Sequence, residues 1–433
     1  MARFVVLIVL AALLVSCGDA SKWPEPPEGC AFFTESHDLP QTQSPEQLAQ
    51  YLASEHFDYD LDGWFFMGSL IDSAAPDDIG VFFLAVQRIE MSDSGFRAPV
   101  VPAIVGFSNS AIGHYEFRGF FTLDADPLMT VTSDPWNVRL NSPLQSGPLM
   151  TISLVSGMMG AVDAKYRITA DIPDFDGVRL QVDVQLRDHF GIVNQGYGPA
   201  SFFPQFLTAM QRAKILSSHT GSVADYLEST GDPMSCQGSY YYSLPLMDVE
   251  QFSVKRDDIT LSSGTQGLLW MDYVVQTYDE RASEVFSEAS WEFFAIQLPE
   301  EDAAIMVLQV DSATGALPVA TLFSNDSDRT LNSARKAVHS WAIDEIKIEA
   351  VSGGRTWTSP TTGKKYAMEH HVRLTSPDWE ADLTITMVLD NQEIVIDKSG
   401  TIKYEGLGIV EGTLQGQPIE GKAFVELQPV GHL

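Results

Sequence analysis

The chain has 433 residues, 45% of them hydrophobic and 10% aromatic, which is enough for full cores and excludes global disorder. With 58 acidic against 26 basic residues and a net charge of −32, it lacks the basic stripe that nucleic acid demands. The same balance disfavours direct docking on anionic lipid and reads most simply as a solvated acidic surface.

Residues 1–17 read as a targeting segment. Arg3 supplies a positive charge ahead of an unbroken apolar run over 4–15. The run is too short for an ordinary membrane-spanning helix, which needs about 20 apolar residues. It ends Leu14-Val15-Ser16-Cys17, which is similar to a bacterial lipobox; the alternative is an ordinary signal peptide with a chance cysteine. A lipidated Cys17 would anchor the protein to a membrane without spanning it. Gly18 after the cysteine points to the outer membrane, with the body facing the periplasm. Residues 18–44 form a tether stiffened by Pro24, Pro26 and Pro27. With Cys17 spent on lipid, Cys30 and Cys236 remain as an even pair in an oxidising compartment, where a disulfide is open to them. Their separation in sequence says nothing of their distance in space.

Ser44-Pro45-Glu46 is a helix start, and a first domain is expected over 45–200. Its strands are expected at 62–70, 79–86, 99–107, 114–122, 136–140, 150–154, 166–171 and 178–186, at the spacing of about 8–12 residues typical of antiparallel barrels and sandwiches. A helical connection is expected over 201–235, where Phe203, Phe206, Leu207 and Met210 share one face. That stripe either packs on its own domain or meets a partner. A second domain over 236–433 opens with strands at 238–243, 267–273 and 291–298 and continues in short strands to 422–428. The strand–helix alternation of a parallel sheet is absent. The expected fold class is all-β: two antiparallel β-barrel or sandwich domains joined by a short helical connection.

Alternation places Glu292 with Phe294, Ile296 and Leu298, and Asp272 with Leu268, Trp270 and Val274. Carboxylates among apolar neighbours are either strand-end groups in water or site groups with raised pKa.

Six short stretches carry a family resemblance. They are the run from Tyr240 to Leu298 with its tyrosines and tryptophans, Trp357-Thr358-Ser359-Pro360, Asn391-Gln392-Glu393, Tyr404-Glu405-Gly406, and the closing Gly421-Lys422-Ala423-Phe424-Val425-Glu426-Leu427, with Asp62-Gly63-Trp64-Phe65 ahead of Gly68. Over roughly residues 45 to 431 the chain resembles the AttH/CrtC group. These are two-domain lipocalin-like proteins that include carotenoid 1,2-hydratases and predicted secreted hydrolases. The resemblance implies Asp272 and Trp270 as matches, with Tyr273 where the hydratases carry histidine and Val274 and Val275 replacing Glu and Trp. It implies Glu292 in place of an Asp set between tryptophans. Acid-catalysed hydration needs a carboxylic acid kept protonated in an apolar pocket. Glu292, Asp272 and Tyr273 are therefore the catalytic candidates, and the missing histidine weakens the acid chemistry.

Tyr240, Tyr242, Trp270, Trp291 and Phe294, with Asp62 and Trp64, are the candidates to line a barrel mouth or domain cleft for a long apolar ligand. The leading expectation is an envelope lipoprotein that binds a hydrophobic small molecule, an isoprenoid or acyl lipid. The alternative is a hydratase or isomerase acting on an isoprenoid alkene. A third, implied by the resemblance, is an accessory role beside an export system with ABC transporter components as partners. No Gly-x-Ser-x-Gly supports a serine hydrolase, no Cys or His spacing supports a metal site, and no cofactor is expected.

Overall fold

The computed structural model describes residues 53–54, 61–93, 96–123, 128–142, 146–173, 177–194, 239–276, 290–312, 315–325, 337–341, 343–395 and 402–429. Cys17, Cys30, Cys236, the tether, the helix start at 44 and the helical connection over 201–235 lie outside them. Among the described residues the regular structure is strand, apart from the short 3-10 turns Pro299–Glu301 and Ile343–Glu345.

The strands sort into two curled antiparallel sheets. In the first, the neighbours run Glu116–Leu123, Phe96–Ser108, Ile79–Asp93, Leu61–Ile71, Gln266–Gln276, Ser239–Arg256, Arg179–Asp188, Lys165–Pro173, Met150–Ser156, Trp136–Leu140 and Met129–Ser133. In the second they run Ala337–Trp341, Gly315–Ser324, Ala303–Ser312, Ser290–Leu298, Gln417–Gln428, Ile402–Leu414, Glu380–Met387, Glu369–Thr375 and Ile346–Ala350. Both are half-barrels of the lipocalin-like, all-β kind.

Alternation drives the curl. Along Arg179–Asp188 the residues Leu180, Val182, Val184 and Leu186 are buried while charged and amide side chains between them are less so. Along Glu380–Met387 every second residue, Ala381 to Met387, is buried, and those between are exposed. One face must therefore turn inward in each sheet, and the remote strands approach one another. The Arg118 guanidinium donates to the Val178 carbonyl at 3.2 Å, and the Trp341 indole donates to the Trp379 carbonyl at 3.2 Å.

Three buried clusters result. One fills the first half-barrel around Trp64, Phe66, Trp136, Tyr242 and Tyr273. One fills the second around Phe294, Ile296, Trp341, Tyr366 and Tyr404. The third belongs to neither interior: Met67, Phe83, Leu246 and Trp270 of the first sheet pack on Phe293, Leu407 and Phe424 of the second. This third layer is a seam, sheet face against sheet face. Phe83 stacks on Phe424 at 6.0 Å, and Gln392, Gln297 and Lys422 donate across it to Ser108, Pro245 and Ser69.

One expectation is corrected here. The strands from 239 to 276, expected to open the second domain, pair within the first sheet. Gln266–Gln276 lies between Leu61–Ile71 and Ser239–Arg256, with Phe65 opposite Asp272 in register. The change from one sheet to the other falls between 276 and 290 rather than at 236. Antiparallel pairing joins strands about 200 residues apart, and separation along the chain carries no trace of it.

Candidate active site

Asp272 is the centre of the seam's polar chemistry. It sits on the same face as Leu268 and Trp270 and is wholly buried. Three donors converge on its carboxylate. The Ser243 hydroxyl and the Trp270 indole N–H both donate to Oδ1 at 2.5 Å, and the Tyr241 hydroxyl donates to Oδ2 at 3.0 Å. The backbone arranges this directly: Ser243 is the Cα partner of Asp272, and Tyr241 lies two residues on, on the same face. Burial pushes the Asp272 carboxyl up to about 7, against the opposing pull of the three donors, with Glu426 adding to the rise.

The second sheet supplies the facing groups. Glu426 accepts the Trp291 indole N–H at 2.8 Å and the Lys403 ammonium at 2.5 Å. Lys403 also lies 5.2 Å from the centre of the Trp291 ring and 4.0 Å from Glu405. Glu405 is buried, and burial followed by the Glu426 charge raises its carboxyl far above the usual range. Tyr115 of the first sheet completes the group, its phenol raised by burial and then by Glu405. Gly106 makes room for it, because a Cβ there would fall 2.2 Å from the Tyr115 ring. Tyr241, Trp291, Lys403 and Glu426 are only partly buried, whereas Asp272 is wholly buried.

The expected site residues divide among three surfaces. Asp272, Trp270 and Trp291 are in the seam. Asp62, Trp64, Tyr242 and Tyr273 are inside the first half-barrel, where Tyr273 stacks on Trp64 at 4.9 Å and on Tyr242 at 6.4 Å. Glu292 and Phe294 face the interior of the second. Tyr240 stands opposite Val275 in register. Asp272, Tyr273 and Glu292 therefore do not form one catalytic group, because successive strand residues point to opposite faces. Tyr273 packs among the rings of the first interior, on the face opposite Asp272. The expectation missed Tyr241, Lys403, Glu405 and Glu426. A signal for the last three existed: Lys403 and Glu405 alternate onto the face of Leu407, and Glu426 onto that of Phe424, both apolar faces. Among the described residues no group of three or more His, Cys, Asp or Glu is placed to hold a metal ion.

Two of the resemblance motifs have structural rather than chemical work. The Ser359, Thr362 and Tyr366 hydroxyls all donate to Glu393, at 2.5, 2.7 and 2.8 Å. The adjacent Gln392 donates across the seam to Ser108 at 2.8 Å.

Fold and site together define a double lipocalin-like protein with an acid-bearing seam. Residues 225–430 match the AttH-like family. None of the curated proteins matches the sequence. Among solved structures, a protein described as an AttH from Nitrosomonas europaea is 18% identical, with a TM-score of 0.59 over 91% of this chain and 98% of that one. Kievitone hydratase from Nectria haematococca is 12% identical, with a TM-score of 0.54 over 84% of this chain and 88% of that one. Both likenesses are likenesses of fold.

Proposed function

We propose that the seam is an acid–base site that adds water to, or isomerises, an unsaturated apolar small molecule. The observation that carries this reading is Asp272: a fully buried carboxyl poised near neutrality, hydrogen-bonded to the partly buried Tyr241. The family match over the second half, with a hydratase among the structures of like fold, adds modest support.

In this reading the protonated Asp272 donates to the Tyr241 oxygen as the Tyr241 O–H proton passes to an alkene carbon. The electron pair of the double bond forms the new C–H bond. The cation left on the neighbouring carbon is stabilised by the ring faces of Tyr241 and Trp291 and by the new Asp272 carboxylate. Water then adds to that carbon, and its proton returns through Tyr241 to Asp272. Loss of a neighbouring proton instead gives the isomer. Lys403 and Glu426 hold Trp291 in place. The reading places the activity in the cell envelope through Cys17, a placement that rests on the targeting segment of the sequence alone.

The test is incorporation of labelled oxygen from water into an acyclic isoprenoid alkene. Wild type should incorporate label, and Asp272→Asn and Tyr241→Phe should lose it by about 100-fold or more, the usual scale of general acid catalysis. Equal incorporation in wild type and Asp272→Asn would overturn the acid role. Saturable binding with no product in any of the three would assign the seam to a carrier of hydrophobic molecules.

A further inference from the structure

Glu292 belongs to a second polar group, on the other side of the sheet from the seam. Along Ser290–Leu298 it alternates with Trp291 and Phe293, which face the seam, and shares its face with Phe294 and Ile296 of the second interior. Gln309 is its cross-strand partner, and Asp311 follows on the same face. From the far side of the half-barrel, His370 brings Nδ1 to 3.7 Å from Glu292 Oε1. The His370 ring is wholly buried with its edge against Phe294 at 5.2 Å.

The hydrogen-bond roles here are determined by chemistry. His370 Nε2 lies 3.1 Å from the Ala367 carbonyl, which can only accept, so Nε2 carries the proton. Burial holds the imidazole neutral by lowering its pKa to about 4, so Nδ1 presents a bare lone pair. That atom has no hydrogen-bond partner. Gln309 gives one Nε2–H to Asp311 Oδ2 at 3.1 Å and keeps its carbonyl oxygen as an acceptor, beside its second N–H. Once Glu292 is ionised, the group offers the Nδ1 lone pair, the Gln309 carbonyl and two carboxylates as acceptors. No Lys or Arg among the described residues pairs with either carboxyl. Burial and the Asp311 charge push Glu292 up to about 7, the response of a carboxyl that lacks a cation. The Glu292 side chain is 32% exposed, so the group can be reached.

We propose that this mouth of the second half-barrel is a binding site for the protonated amino group of an amphiphilic ligand. An ammonium brings three donors and one positive charge. It reaches the His370 lone pair and Glu292 Oε1 together, the two lying 3.7 Å apart, and turns its third donor to Asp311 or Gln309. An alcohol brings one donor and no charge; it would satisfy His370 and leave both carboxyls uncompensated. Because the site lies across the sheet from Asp272, it is independent of the seam chemistry.

The test is calorimetric titration of the whole protein with octylammonium and, separately, 1-octanol, near pH 6 in two buffers of different ionisation enthalpy. At that pH Glu292 is mostly protonated, so ammonium binding should expel roughly one proton per ligand. Octylammonium should bind at least about tenfold more tightly than octanol, as expected for charge-assisted hydrogen bonds. Glu292→Gln should abolish the proton release and weaken binding by a similar factor. His370→Phe should weaken binding but keep the release, and Asp272→Asn should change neither, which separates this site from the seam. Equal binding of amine and alcohol, no binding of the amine, or release that survives Glu292→Gln would each overturn the proposal. Since the wild-type comparison of amine with alcohol needs no variant, a misfolded variant leaves the test intact.

Discussion

The seam and the interior of the first half-barrel are both buried, both rich in aromatic rings, and separated by the thickness of one sheet. In the interior, Trp64, Trp136, Tyr166 and Tyr273 contact one another as rings, by stacking or by edges, at 4.9 to 6.4 Å. In the seam, Trp270 and Trp291 are used through their indole N–H groups, each donating to a carboxylate. The same residue type is packing material on one face and a hydrogen-bond donor on the other. The difference comes from what lies opposite. A half-barrel interior closes on its own hydrophobic side chains, whereas the seam brings together two outer faces that each carry charges. Aromatic content alone therefore does not mark a site.

The contrast can be broken most sharply by exchanging activity for stability. Asp272→Asn should lower turnover about 10²- to 10⁴-fold without destabilising the fold by more than about 1 kcal/mol, measured by label incorporation and by urea unfolding of the same preparation. Trp64→Ala should do the reverse, costing about 3–5 kcal/mol in urea unfolding through the cavity it leaves. A seam that loses stability and keeps turnover would sink the distinction.

A pH series sharpens the comparison. The folded pKa of Asp272, about 7, lies above the ordinary aspartate value of 3.8, so the folded state binds the extra proton between those values. The burial cost is absent below about pH 4, grows as pH rises, and is fully present above about 7; the slope reaches at most about 1.4 kcal/mol per pH unit. Asp272→Asn should remove this contribution from unfolding curves taken at several pH values. The rate should likewise fall as pH rises through about 7, because the acid must be protonated to act. Glu426→Gln removes a negative neighbour and unpairs Lys403, both of which lower the Asp272 pKa, so the pH–rate profile should move to lower pH. Movement the other way would count against Glu426 as a neighbour of the acid. The smallest effect belongs to Gln392→Ala, which removes the bond to Ser108 across the seam and should cost about 1 kcal/mol in thermal or urea unfolding.

Most strand positions were legible because alternation is local. The stretches expected at 79–86, 136–140 and 150–154 fall within Ile79–Asp93, Trp136–Leu140 and Met150–Ser156. In the second sheet a short 3-10 turn, Ile343–Glu345, separates Ala337–Trp341 from Ile346–Ala350. The strands Met129–Ser133, Ile259–Gly264 and Gly315–Ser324 were missed, the first two short and mostly polar.

By itself the sequence determined the all-β class, the AttH-like resemblance and the fact that Glu292 and Trp291 face opposite ways. All three follow from composition, short motifs and the two-residue period of a strand. Only the tertiary structure decided that residues 239–276 complete the first sheet, that Tyr241 rather than Tyr273 donates to Asp272, and that Glu426 lies near enough to act on it. Those relations depend on register between strands tens to hundreds of residues apart and on which sheet faces meet. A linear pattern says which face a residue takes on its own strand, and nothing about the strand or sheet that will cover that face.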